Sequence, residues 1–315
     1  MNTQKRYIPA KMLVLLLCGT LFVGSLTACS SSTNTSNNHK EHVTVTMMEN
    51  PSKPSKQETQ VKSLAEINAT FSHTRWAGEE YIKIDEESLL EIIKLAMRDA
   101  KEMYISIGAP NMTITKSGTT SKNPDEFYPE WMNEYHFLAR AKRESGNYMI
   151  DYVGPEVDAE GNRALGIMCV VPEYIIPTLN QYMKNTFHSD ITFSDRQLFP
   201  NQKDLANFET SKQARENLKK AVYDIVYTSI CYDIYNAKCF GPNHTDYYSK
   251  FGGYNEEIRH QAIVALYLFK RNDVVSSLKN GTFFEKFGNT GYVKDILSFQ
   301  DTFEKQYENV DSMEK

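Results

Sequence analysis

Cysteine is scarce in this chain. Of five in 315 residues, only Cys169, Cys231 and Cys239 lie beyond residue 30, an odd number that does not describe a disulfide framework. Cys231 and Cys239 fall in one helical-looking run, too far apart for a bridge within a straight helix. No nearby histidine completes a zinc-ligand spacing with them, so they read as small apolar core residues. Basic charge is also short. Against 40 Asp and Glu there are 35 Lys and Arg, a net charge of −5, which argues against a nucleic-acid-binding face. The N-terminal apolar run, Met12 to about Val23, is shorter than the ~20 residues of a comfortable membrane span. No internal repeat is present, and the strand–helix alternation of a two-lobed α/β binding protein is missing. Asp158-x-x-Gly161 is too little for a calcium loop, so neither metal nor cofactor is expected.

What is present begins with a leader. Lys5, Arg6 and Lys11 precede or open the apolar run, and Leu26-Thr27-Ala28-Cys29 closes the segment, followed by three serines. This resembles the bacterial lipobox, whose cysteine is lipidated and becomes the first residue after cleavage. The resemblance implies a lipoprotein signal peptide over residues 1–28, a lipid on Cys29, and anchorage on the outer face of the cell membrane. Losing the leader removes three basic and no acidic residues and takes the side-chain charge from −5 to −8. Residues 29–60 are rich in Ser, Thr, Asn and Lys, carry Pro51 and Pro54, and lack apolar periodicity. They are expected to be a disordered tether. About thirty such residues have a root-mean-square reach on the order of 30 Å and a contour of about 100 Å. Whatever the protein acts on must lie within that reach of the membrane.

Beyond the tether the chain reads as mainly α, with at most a small β element. Asp85 to Met103 is a predicted helix, capped by Asp85, with Leu89, Ile92, Ile93, Ala96, Ala100 and Met103 on one stripe. Tyr104 to Thr115 reads as a short strand and Lys116 to Pro124 as a loop, so residues 61–124 form an N-terminal helical accessory segment. A main domain is expected over 125–310. Pro129 to Gly146 is predicted to be an amphipathic helix, with Trp131, Tyr135 and Leu138 at helical spacing. Ser211 to Cys239, ended by Gly241-Pro242, and Glu257 to Arg271 are the next long helices.

The helix end before Gly146 leaves one carboxylate, Glu144, against the negative pole of the helix dipole and the unpaired last carbonyls. Both disfavour its charged form, and desolvation would make it a proton donor at neutral pH. An isolated glutamate is ordinarily just solvated; the passage that follows changes the weighing. Glu144-Ser145-Gly146, a turn-rich loop, and Gly166-Ile167-Met168-x-Val170-x-Pro172 resemble the paired motifs of the lytic transglycosylases with the goose-type lysozyme-like fold. There a Glu-Ser-Gly helix end is followed by Gly-Leu-Met-Gln-hydrophobic-x-Pro. The resemblance runs from about Asp125 to Leu297. Leu198-Phe199-Pro200-Asn201 resembles the family's Leu-Phe-Asp-Pro, Tyr267 stands where Tyr-Asn-Ala-Gly begins, and Asn289 to Ile296 resembles the closing helix with Tyr292 in it. Three positions depart: Cys169 replaces the Gln, Leu268-Phe269-Lys270 replaces Asn-Ala-Gly, and Gly288 or Asn289 replaces a Glu.

The resemblance implies a lysozyme-like helical domain that cleaves the MurNAc–GlcNAc bond of peptidoglycan glycan strands without water. Glu144 serves first as acid and then as base, the substrate's N-acetyl group assists, and the sugar's own hydroxyl closes an anhydro-muramyl ring. Ser145, Gly166, Met168, Cys169, Tyr267 and Tyr292 are the implied substrate-binding residues. Alternatives stay open. Ser145 also suits a cap on its own helix, and Met168 suits core packing. Asp151, Glu156, Asp158 or Glu160 would be the second carboxylate of a hydrolytic muramidase. A nucleophilic Cys169 would need a base such as His136 or His188. The altered Gln and Asn-Ala-Gly positions favour a glycan-binding or scaffold lipoprotein that has lost turnover.

Overall fold

Polar and apolar residues alternate through β1 (Phe71–Trp76) and β2 (Glu79–Ile84), which pair antiparallel from Phe71 opposite Ile84 to Trp76 opposite Glu79. The computed structural model describes residues 67, 69–76, 78–115, 118–154, 160–193 and 208–313. The leader, Cys29, the tether, Glu156, Asp158 and Leu198-Phe199-Pro200-Asn201 lie outside the described residues. The rest is mainly helical, with this hairpin as the one small sheet among the described residues.

α1 (Glu86–Ser106) starts where the sequence places it. Asp85 Oδ1 accepts the Ser88 N–H at 2.9 Å, the expected N-cap. The helix runs on to Ser106, so the strand expected from Tyr104 is not formed; only Ile114 makes a bridge, to Thr120. The cause is packing: Tyr104 continues the buried stripe of Leu89, Ile93, Ala96 and Ala100, and its hydroxyl donates to the Cys231 carbonyl at 3.0 Å.

α2 (Glu134–Glu144) begins later than the Pro129 the sequence suggests. Asn133 caps it by accepting the N–H groups of Tyr135 and His136, both at 3.1 Å, which leaves Trp131 ahead of the helix. α3 (Pro172–Phe187) follows the turn after Gly166. The long helix expected from Ser211 is two, α4 (Phe208–Lys220) and α5 (Val222–Cys239), parted at Ala221. Leu218, Ala221, Val222 and Ile225 are buried across that break, so the apolar pattern does not register it. After the short α6 (Thr245–Tyr248), α7 (Glu256–Ala265) ends six residues before the expected Arg271. Tyr267 and Leu268 donate back to Val264 and Ala265, both at 3.2 Å, a tightened last turn. α8 (Arg271–Asn280) and α9 (Gly291–Met313) complete the chain.

α1 packs on α2 and α5, α2 on α9, and α5 on α3 and α7. One apolar cluster spans these helices. The end of α2 therefore sits on a core built from both the N-terminal segment and the downstream helices.

Candidate active site

Glu144 is the last residue of α2, half-buried, with its Oε1 oxygen shut off from solvent. Ser145 is fully buried. Its hydroxyl donates to the Ala141 carbonyl at 2.8 Å and its N–H to the same oxygen at 3.2 Å, so Ser145 caps its own helix rather than lining a binding surface. Gly146 exits at φ +62°, as expected of a helix-ending glycine. Asn147 and Tyr148 follow at φ +78° and +72°, extending the left-handed stretch to three residues.

The second motif is a tight turn. Leu165 and Val170 exchange backbone hydrogen bonds of 2.8 and 3.0 Å, and the Gly166 N–H donates to the Tyr152 carbonyl at 2.7 Å. Gly166 has φ +70°, and a Cβ there would stand 2.7 Å from Ile225 Cδ1 on α5. Gly166 thus lets the turn close and press on α5. Met168 is fully buried, packing beneath the turn. Cys169 is half-buried at φ +47°, and its thiol donates to the Glu144 carbonyl at 3.1 Å. The two motifs, separated by a loop in the sequence, meet through that contact.

Behind them lies a buried polar chain. Arg140, one turn before Glu144 on α2, sends Nη1 to both Asp233 oxygens at 3.3 Å and Nη2 to the Met168 carbonyl at 3.3 Å. Its guanidinium lies 3.9 Å from the centre of the Tyr267 ring. The Tyr267 hydroxyl donates to Asp233 Oδ2 at 2.6 Å and meets His136 Nε2 at 2.7 Å; His136 Nδ1 meets His260 Nε2 at 3.3 Å. The chain thus runs His260–His136–Tyr267–Asp233, with the Tyr267 hydroxyl donating to Asp233. Burial, then the Asp233 charge, holds the Tyr267 hydroxyl protonated, while burial and the neighbouring His136 keep His260 neutral. Burial opposes the Arg140 cation, but Asp233, followed by Tyr267 and Glu144, more than offsets this.

No family model, curated protein or solved structure matches this chain. Its chemistry has to be read from the side chains themselves.

Tyr292, the other aromatic singled out by the sequence, is buried on α9. Its hydroxyl is closed off from solvent and has no hydrogen-bond partner among the described residues. The Arg143 guanidinium sits 5.1 Å above its ring and pairs with Asp295 at 3.1 Å, which ties the last turn of α2 to α9. Glu144, Cys169 and Tyr292 are therefore gathered around one helix end, and Tyr267 is joined to it through Arg140. Ser145, Gly166 and Met168 shape that end from inside.

The candidate second carboxylates fare differently. Asp151 is buried, accepts the Ile82 N–H at 2.9 Å and pairs with Arg215 at 3.2 Å. It lines a cavity of about 510 Å³ between the hairpin and α4, with Glu79, Tyr81 and Lys219. Glu160 accepts the Tyr174 hydroxyl at 3.0 Å. Both ring nitrogens of His136 are engaged in the buried chain, which removes it as a base for Cys169, and His188 closes α3 in a left-handed conformation. Among the described residues no cluster of His, Cys, Asp and Glu has the arrangement to hold a metal ion.

Sequence reasoning missed Arg140, Asp233 and His260. Asp233 lies on the buried stripe of Val226, Ile230 and Ala237; a lone acid at a core position of an apolar helix was the available signal. Arg140 and Glu144, four apart on one helix, were the other.

Proposed function

We propose that this chain is a membrane-tethered peptidoglycan-cleaving enzyme that works as a lytic transglycosylase, lipid-anchored through Cys29 and built on a lysozyme-like helical domain. The observation that carries this is the Cys169–Glu144 contact at 3.1 Å, which joins the Glu-Ser-Gly helix end to the Gly-Ile-Met turn. A single half-buried carboxyl group at a helix terminus is suited to give a proton to the leaving oxygen and take one back from the sugar hydroxyl. Of the candidate second carboxylates, the two among the described residues are engaged, Asp151 with Arg215 and Ile82 and Glu160 with Tyr174, which supports the non-hydrolytic route as far as those two go. Cleavage without water needs only Glu144.

A second reading, a glycan-binding scaffold without turnover, is favoured by Cys169. Its thiol is directed to the Glu144 carbonyl, and a thiol is a weak substitute for a carboxamide in binding a sugar.

Purified chain acting on isolated cell wall, with mass spectrometry of the products, separates these. Anhydro-muramyl ends are expected, with a loss of about 100- to 10,000-fold in Glu144→Gln. Reducing ends would indicate a muramidase. Wild type and Glu144→Gln equally inert, yet both binding the wall, would leave the scaffold. Label from a lipid precursor should enter the wild type and not Cys29→Ala.

A further inference from the structure

We propose that Trp76, Tyr81 and Tyr152 form a saccharide-stacking subsite beside the cavity between the hairpin and α4. It holds one sugar ring of a glycan strand outside the Glu144 site. The choice of a glycan rests on the function proposed above.

Strand alternation builds the platform. Thr74 and Trp76 of β1 share one face of the hairpin, and their cross-strand partners Tyr81 and Glu79 share it with them. Tyr152, from the loop after α2, closes on that face. The Trp76 ring centre lies 5.9 Å from that of Tyr152 and 6.4 Å from that of Tyr81, and the two tyrosine rings are 6.2 Å apart. Tyr81 is buried and Tyr152 half-buried, while Trp76 stays 45% exposed. Two rings thus hold the indole in place and leave much of it open to water, the mark of a ligand surface. A pyranose ring has a flat patch of C–H groups on one face and hydroxyls around its rim. It can lie on such an indole while its hydroxyls remain bonded.

The cavity narrows the class of ligand. Its volume of about 510 Å³ falls in the usual range of small-molecule sites, and the charges on its walls pair among themselves. Arg215 meets Asp151 at 3.2 Å and Glu79 at 3.7 Å, and Lys219 meets Glu216 at 2.7 Å. An anion would have to compete with two carboxylates for Arg215. A cation would find the Tyr81 ring already faced by that guanidinium, 4.4 Å from its centre. The Tyr81 hydroxyl donates to Glu79 at 3.1 Å and stays protonated, pushed up to about 12 by burial and then by Glu79. A neutral ligand rich in hydroxyls fits such a wall. The platform is also continuous with the candidate active site, because the Tyr152 carbonyl accepts the Gly166 N–H at 2.7 Å. A polymer can reach both. Trp76 and Tyr81 lie ahead of the Asp125 to Leu297 stretch that resembles the transglycosylases, so the hairpin adds a contact that the resemblance does not supply.

The test is binding of a β-1,4-linked N-acetylglucosamine tetramer to the full chain in detergent, by tryptophan emission and by calorimetry. The tetramer lacks the muramyl residue at the proposed cleavage point, so binding is read without turnover. Trp131, the second of two tryptophans, stacks on His260 with ring centres 4.5 Å apart and donates to Glu256 at 2.7 Å. The emission change on binding should therefore come from Trp76. Trp76→Ala should weaken binding about 10- to 100-fold, the scale of losing a central aromatic contact. Phe71→Ala, which removes an exposed ring at the other end of β1, should leave the affinity unchanged. Trp76→Phe should bind within about threefold of the wild type and lose the emission change. Affinity should hold from about 50 to 500 mM salt, as for a neutral ligand. A wild type that does not bind, an unchanged affinity in Trp76→Ala, or an emission change that persists in Trp76→Phe overturns the subsite. So do steep weakening by salt and binding confined to peptide-bearing wall fragments, which would mean ionic or peptide recognition. Should Trp76→Ala fail to fold, the phenylalanine variant decides. Cleavage of isolated wall is measured alongside. An inert wild type that still binds the tetramer through Trp76 removes the proposed activity and leaves the subsite; an active one with unchanged affinity in Trp76→Ala does the reverse.

Discussion

Gly166 offers a stability test whose size follows from two separate features of one residue. Its φ of +70° costs an alanine about 1–2 kcal/mol. The added Cβ would also stand 2.7 Å from Ile225 Cδ1, the tip of a fully buried side chain, an overpacking cost of about 1–3 kcal/mol. Gly166→Ala should therefore destabilise by about 2–5 kcal/mol. Gly146 is the internal control. It has φ +62°, and its added Cβ would meet only Met149 Cε, the end of an unbranched side chain that can swing away, so Gly146→Ala should cost about 1–2 kcal/mol. Ile225→Val deletes the clashing methyl at a cost of its own of about 0.5–1.5 kcal/mol. On that background Gly166→Ala should pay only the backbone penalty, giving a coupling of about 1–3 kcal/mol in the cycle. Urea denaturation with shared slopes measures each value. If Gly166→Ala costs the same in the wild type as in the Ile225→Val background, the turn does not press on α5, and the explanation for that glycine is wrong.

Two further outcomes are expected. Asp151→Ala strips the Ile82 N–H of its buried acceptor and removes one partner of Arg215, which keeps Glu79, so it should destabilise by about 1–3 kcal/mol in thermal unfolding, while Asp151→Asn leaves the wall-cleavage products unchanged; a switch of product type in Asp151→Asn would count against the single-carboxylate mechanism. Burial, with Arg259 nearby, lowers the half-buried Lys238 ammonium from its ordinary 10.5 to about 8. The folded chain gives up that proton before the unfolded chain does, so stability rises as pH climbs from about 8 to 10.5; equal slopes for wild type and Lys238→Met across that window would refute it.

What the sequence made legible was set by whether one signal or two competed at a position. Asp85 stood alone as a cap before a long stripe, and α1 begins there. Pro129 alone is the helix start that the sequence suggests, and the structure starts α2 after Asn133 instead, because the Asn133 carboxamide satisfies two N–H groups at once. Glu144 and Gly146 were legible as a helix end because an apolar stripe stops where a glycine begins. Ser145 was not decidable from type alone, since a hydroxyl serves a cap and a cleft equally; full burial assigns it to the cap. Apolar periodicity follows what is hydrophobic and is blind to a paired acid on the same face, which is why Asp233 stayed hidden. Long-range partners such as Arg140 with Asp233 carry no local sequence signature.

The loop after Glu144 joins the hairpin and α1 to the site more closely than their sequence suggests. Asn147 and Tyr148 are non-glycine residues at φ +78° and +72°, a conformation that costs about 1–2 kcal/mol each and persists only when the surroundings impose it. The Asn147 N–H donates to the Lys142 carbonyl at 3.1 Å, and the Tyr148 carbonyl accepts the Ile84 N–H at 3.2 Å. Met149 then bridges to Lys83, and the Ile150 N–H donates to the Ile82 carbonyl at 2.9 Å. The Tyr148 hydroxyl, kept protonated by burial and by Glu86, donates to Glu86 at 2.8 Å. Glu86 lies in the first turn of α1, where an anion is favoured by the helix dipole, and it also accepts the Tyr307 hydroxyl from α9 at 3.1 Å. One carboxylate thus ties the strained loop to both the first and the last long helix. The hairpin and the first turn of α1 supply the constraint that keeps Glu144 at a defined helix end, and the strain it holds is local to the turn where α2 stops.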